Sequence, residues 1–110
     1  MKEILFLVQG SSLEPYNVIF QNDDSVLSAT CTCQAGTMGQ VCKHRLSILE
    51  GSASGIVSGN ESEIATVISW LPGSKLALAM SSLAEAEAEL EKAKKRVASS
   101  KKQLASAMHP

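Results

Sequence analysis

Aromatic side chains are nearly missing from this sequence. Its 110 residues include only Phe6, Tyr16, Phe20 and Trp70. A core so poor in aromatics must be built from aliphatics, and a chain this short commonly needs a staple, of which a metal is one. Long apolar runs are missing too. Ile4–Val8 is far shorter than the roughly 20 apolar residues of a membrane span. It is also too short for the apolar stretch of a secretion signal, and Lys2 before it is followed by Glu3. With Met1 in front, the expectation is a complete small protein without a leader. Net charge is only −1, which by itself predicts no nucleic-acid partner. Cysteine is scarce and odd in number: Cys31, Cys33 and Cys42 lie within twelve positions. A secreted disulfide framework usually uses an even number, so a reducing compartment, most simply the cytoplasm, is expected. No carboxylate pair has the constrained spacing of acid–base chemistry. The glycines and serines around Gly55 and Gly59 form no phosphate loop. Nothing therefore points to an enzyme or to a small-molecule substrate.

What is present falls into parts. Ile4–Val8, Tyr16–Phe20 and Ser25–Thr30 are rich in β-formers and separated by turn chemistry (Gly10-Ser11-Ser12, Asn22-Asp23-Asp24), which predicts a small antiparallel sheet. Gln34–Gln40, with two glycines, reads as a loop. Val41–Glu50 is expected to be a short helix with Leu46 and Leu49 on one face. Residues 51–59 are rich in Gly and Ser and read as a linker or mobile loop. Residues 60–71 predict a second short helix. Asn60 and Glu63 stand in capping-box spacing, and Ile64, Val67, Ile68 and Leu71 share one face. Trp70 is expected to anchor a core there. Pro72-Gly73 stops this helix and Ser74 can cap the next. From Lys75 to about Met108 strong helix formers dominate without a break. Such a helix would be roughly 50 Å long.

The cysteines belong to one constellation: Cys31-x-Cys33, eight residues, then Cys42-x-His44. In an extended segment residues i and i+2 point to the same side, so Cys31 and Cys33 can converge on one ion. Cys42 and His44 can do the same where a helix begins. Gly36 and Gly39 let the intervening loop turn back. Three thiolates and an imidazole suit one tetrahedral, structural Zn²⁺. The flanking Lys43 and Arg45 and a helix N-terminus favour the residual negative charge. Three other readings stand beside it: unrelated buried cysteines, an iron–sulfur cluster, and redox or nucleophilic work by a Cys–His pair. The short Cys42-x-His44 spacing opposes the cluster. The absence of C-x-x-C and of an open coordination position opposes catalysis.

The C-x-C-xn-C-x-H pattern, with strands before it and VCKHRLSIL running into a helix, resembles the SWIM-type zinc finger over about Tyr16–Leu49. The resemblance implies a compact β-β-α unit, with Cys31, Cys33, Cys42 and His44 as ligands. The family occurs in chromatin-remodelling ATPases, Mutator-like transposases and recombination accessory complexes, where it is credited with binding DNA or proteins. Nothing beyond Glu50 takes part in the resemblance, so no activity of those larger proteins carries over.

The C-terminal part has its own pattern. Leu76, Leu83, Leu90, Val97 and Leu104 recur every seven residues, and Ala79, Ala86, Ala93, Ser100 and Ala107 follow each by three. This is an a/d seam with one large and one small position. Charge is polarised along it. Glu85, Glu87, Glu89 and Glu91 come first, then Lys92, Lys94, Lys95, Arg96, Lys101 and Lys102. Two copies side by side in parallel would set acid against acid, whereas antiparallel each acidic half meets a basic one. Self-pairing, or pairing with a helix of another protein, is therefore expected. A long helix folded back on its own finger, and cations touching DNA phosphates together with Lys43 and Arg45, are the alternatives.

The whole predicts an α+β protein in four parts: a zinc-stapled finger over 1–50, a linker over 51–59, a short helix over 60–71 and a long helix over 74–108. The expected function is a non-enzymatic zinc-binding interaction module, a small dimeric adapter or inhibitor. A DNA-binding accessory factor is the second reading.

Overall fold

A computed structural model describes residues 1–109. The chain forms two units, Met1–Ala77 and a second from Leu78 onward. The first is built on a three-stranded antiparallel sheet in the order β1 (Lys2–Val8), β2 (Tyr16–Asp23), β3 (Val26–Cys31). The protein is thus α+β, as expected. Alternation aims Phe6 and Val8 of β1 and Val18 and Phe20 of β2 to the same face, and all four are buried. Phe6 pairs with Val18, and Ile4 with Phe20. The Phe6 and Phe20 rings meet edge to face at 5.9 Å, a geometry worth about 0.5–1.5 kcal/mol beyond their burial. The β2–β3 turn is tighter than the sequence suggests. β2 runs on to Asp23, which pairs with Val26, and only Asp24 and Ser25 turn the chain, at φ 48 and 66. Such a two-residue loop needs positive φ at both positions, the twist that suits a hairpin.

The segment expected to be a linker is held instead. Val8 and Ile56 form an antiparallel bridge. The Gln9 N–H donates to Gly55 O and the Val57 N–H to Leu7 O, each at 2.8 Å. The Leu7 N–H donates to Ser58 Oγ at 3.1 Å. Residues 55–58 thereby cover the outer edge of β1, which would otherwise present unpaired backbone groups. Gly55 sits at φ +83, where a side chain would be strained.

Three short helices follow β3. A single turn, α1 (Gln34–Thr37), lies in the expected loop, and α2 spans Lys43–Leu49. A 3₁₀ turn at Glu61–Glu63 leads into α3 (Ile64–Ser69). Ile48, Leu49, Ile64 and Val67 complete the core. The rest of the expected apolar face does not: Ile68 is exposed, and Leu71 and Trp70 are only half-buried. Asn60 departs from its expected capping box. Its amide donates to Leu5 O at 2.9 Å and to Glu63 Oε2 at 2.8 Å, so it ties the turn to β1 rather than capping a backbone N–H.

Ser74 caps the last helix as predicted. Its Oγ accepts from the Ala77 N–H at 3.0 Å and donates to Leu71 O at 2.7 Å. α4 then runs from Lys75 to Ala107 without a buried residue. Leu76 and Ala93 are half-buried, Leu83 is 39 % exposed, and Leu90, Val97 and Leu104 are more than half exposed. Among the described residues no helix is long and apolar enough to cross a membrane.

Candidate metal centre

The metal centre grows from the end of the sheet. Cys31 pairs with Val18 at the last position of β3, so alternation points it to the buried face. The chain then leaves the ladder and Cys33 follows on the same side. The Thr32 N–H donates to Asn17 O at 3.1 Å, and the Thr32 hydroxyl accepts from the Asn17 N–H at 2.9 Å, which fixes the intervening residue. Cys33 is the N-cap of α1: its Sγ accepts from the Gly36 N–H at 3.3 Å. Cys42 plays the same part for α2, accepting from the Arg45 N–H at 3.4 Å. The first turn of α2 carries His44 to the other two thiols.

The ligand atoms of Cys31, Cys33, Cys42 and His44 all lie within 4.8 Å of one another. Cys31 Sγ and His44 Nδ1 are 3.8 Å apart. With metal–sulfur bonds of about 2.3 Å, tetrahedral zinc holds its ligand atoms roughly 3.5–3.8 Å apart, so the donor set fits the ion. The three thiols are free, not disulfide-bonded, and all are buried. Burial, and the nearness of the other two thiols, push the Cys31 thiol up to about 12. Such a cluster cannot ionise fully without a cation at its centre. At Cys42 burial raises the thiol as well, but the Arg45 N–H, guanidinium hydrogen bond and charge outweigh it, and the net shift is downward. Burial, with the Lys43 charge second, lowers His44 and keeps its imidazole in the neutral form that a metal accepts. The Cys3His group is positioned to bind one zinc ion.

The supporting residues were less visible in the sequence. All three guanidinium nitrogens of the half-buried Arg45 donate to the finger: Nε to Cys42 Sγ at 3.2 Å, Nη1 to Ala29 O at 3.0 Å and Nη2 to Gln40 O at 2.6 Å. One guanidinium thus links a ligand, the edge of β3 and the loop before α2. Arg45 is therefore turned inward, whereas Lys43, equal in charge and two residues away, is exposed. Tyr16 lays its ring against His44 at a centroid distance of 4.9 Å. Gly10 makes room for that pair, since a Cβ there would stand 2.5 Å from the Tyr16 ring and 3.2 Å from His44 Nε2. Gly36 is required by contact rather than by torsion: a Cβ would collide with the Cys31 carbonyl. The cations Lys92, Lys94, Lys95, Arg96, Lys101 and Lys102 are exposed on α4.

A SWIM zinc finger family model matches residues 16–50, the stretch that contains all four ligands. A SWIM zinc finger is a zinc-binding module that takes part in protein or DNA interactions, not a catalytic domain. No curated protein and no solved structure matches the chain.

Proposed function

We propose that this SWIM-matched finger is a non-enzymatic interaction module. Its zinc holds the shape of a small surface, and α4 makes the molecule a dimeric adapter or inhibitor acting through protein–protein contacts in the cytoplasm. The closed ligand set carries this reading. Four protein atoms lie within 4.8 Å of one another, and a four-ligand zinc keeps no position for water or substrate, unlike a catalytic zinc. When bound, Zn²⁺ neutralises the thiolates and ties β3, α1 and α2 together. The protein's own residues do the rest: Arg45 orients Cys42, and Tyr16 backs His44. Zinc thiolates persist in a reducing compartment, which supports the cytoplasm.

The test is an affinity capture from the native host with the wild type beside Cys31→Ser. The partner should be retained at moderate salt by the wild type and lost with the variant. A partner held equally by both would refute a zinc-shaped binding surface.

A second reading, a DNA-binding accessory factor, is favoured by one observation: six exposed cations within Lys92–Lys102. Under it, affinity for duplex DNA falls steeply with salt, and neutralising Lys94, Lys95 and Arg96 flattens that slope.

A further inference from the structure

Helix α4 leaves its apolar stripe uncovered: none of its residues is buried, and Leu90, Val97 and Leu104 are more than half exposed. Building on the adapter reading above, we propose that the partner of this stripe is α4 of a second copy, antiparallel, with the two-fold axis between Glu91 and Lys92.

Size complementarity selects this register. With the axis there, Leu90 faces Ala93 of the second copy and Leu83 faces Ser100. Continuing outward, Val97 faces Ala86, Leu104 faces Ala79 and Leu76 faces Ala107. Every layer along the helix then sets one large residue against one small one. Layers of equal volume let two helices approach evenly over their whole length. A parallel pair would instead stack large on large and then small on small, alternating crowded layers with voids.

Charge selects the same arrangement independently. In antiparallel pairs the residues flanking the seam meet their own kind of position. Glu87 meets Lys94 of the second copy, Glu89 meets its Arg96, and symmetry repeats both contacts. All flanking charged contacts near the axis are attractive. In parallel, Glu89 would meet Lys94, but Arg96 would meet Lys101, so attraction and repulsion cancel.

The experiment uses the full zinc-loaded chain. Its mass in solution should be that of a dimer at about 50 μM. A nitroxide on Ser106→Cys reads orientation: antiparallel copies place the two labels about 45 Å apart, because 29 helical residues separate the levels, at 1.5 Å each. Parallel copies would place them within about 25 Å, which would overturn the proposal. Charge variants read the register. Glu87→Lys with Glu89→Lys, and separately Lys94→Glu with Arg96→Glu, should each weaken the dimer at least tenfold. Mixing the two should restore a mixed dimer. Both variants keep strong helix formers, and circular dichroism checks that each stays helical. Variants that dimerise like the wild type would overturn the register. A monomer overturns the proposal, whether it then binds a helix of another protein or duplex DNA. A monomer that still captures a salt-resistant partner in a zinc-dependent way leaves the adapter reading standing. A dimer whose partner capture ignores Cys31→Ser refutes only the adapter reading.

Discussion

Arg45→Met tests the idea that the metal centre is supported from outside its ligand set. The substitution keeps an apolar stem but removes three donors at once: one to Cys42 Sγ and two to the carbonyls of Ala29 and Gln40. Each is a hydrogen bond from a charged group, the class whose loss costs about 1.5–3 kcal/mol. They share one half-buried side chain, so the losses do not add. Loss of an outer partner of a metal ligand typically lowers metal affinity 10–100-fold. At 1.36 kcal/mol per decade this is about 1.4–2.7 kcal/mol, close to one such bond. The measurement is a zinc titration in competition with a chelator of known affinity. Lys43→Met is the control. It removes the same charge two residues away from a side chain that is exposed. Arg45→Met should weaken zinc at least tenfold and Lys43→Met less than threefold. Equal effects would mean that charge near the thiolates matters and the guanidinium geometry does not, and the reasoning would fall.

Other outcomes follow from the same contacts. Zinc removal, or Cys42→Ser, should unfold the sheet unit while α4 keeps its helical circular dichroism. Structural zinc contributes about 10–16 kcal/mol in finger peptides, and a metal-free chain that melts cooperatively would contradict this. Gly36→Ala should reduce both zinc affinity and stability, because its Cβ collides with the Cys31 carbonyl. Gly39→Ala is the comparison: it meets no neighbour within 4 Å but sits at φ +73, and should cost only about 1 kcal/mol. Phe20→Ala should destabilise by about 3–5 kcal/mol in thermal melts, since the ring is fully buried. Acid should release zinc. Burial, then Lys43, lowers His44 below its ordinary 6.5, so the folded ring stays neutral as pH falls through that value while the unfolded ring takes a proton. This contribution is complete above about pH 6.5 and is lost below it. A His44 imidazole that takes up its proton at or above pH 6.5 in the folded chain, followed by NMR, would show that His44 is not held this way.

The ligand set was legible in the sequence because it depends on spacing alone. An i, i+2 pair in extended chain and another at the start of a helix converge wherever the loop between them can turn. The long helix was legible because composition decides it: no glycine or proline interrupts Lys75–Ala107. The parts that were not legible depend on distant neighbours. Residues 51–59 have the composition of a loop, yet 55–58 among them bond to β1 because an open sheet edge lies beside them. α1 occupies a stretch with a glycine inside it because the Cys33 sulfur caps its first turn. Thiols are not ordinary capping residues, so no propensity scale registers this. Asn60 and Glu63 have capping-box spacing, but the Asn60 Oδ1 that would accept a backbone N–H accepts from the Ser58 hydroxyl instead, while its amide donates to the Leu5 carbonyl and to Glu63. Arg45 looked like a surface cation beside Lys43. Only the fold brings Ala29, Gln40 and Cys42 around it.

Cys31 is at once the last core-facing residue of β3 and the first ligand, directly opposite the buried Val18. Metal and apolar core therefore meet on one face of one sheet. A chain that loses its zinc should lose the end of that face and expose Phe6 and Phe20, which are fully buried in the folded unit, to proteases. Zinc-loaded chains should then resist an added protease that cuts zinc-stripped ones.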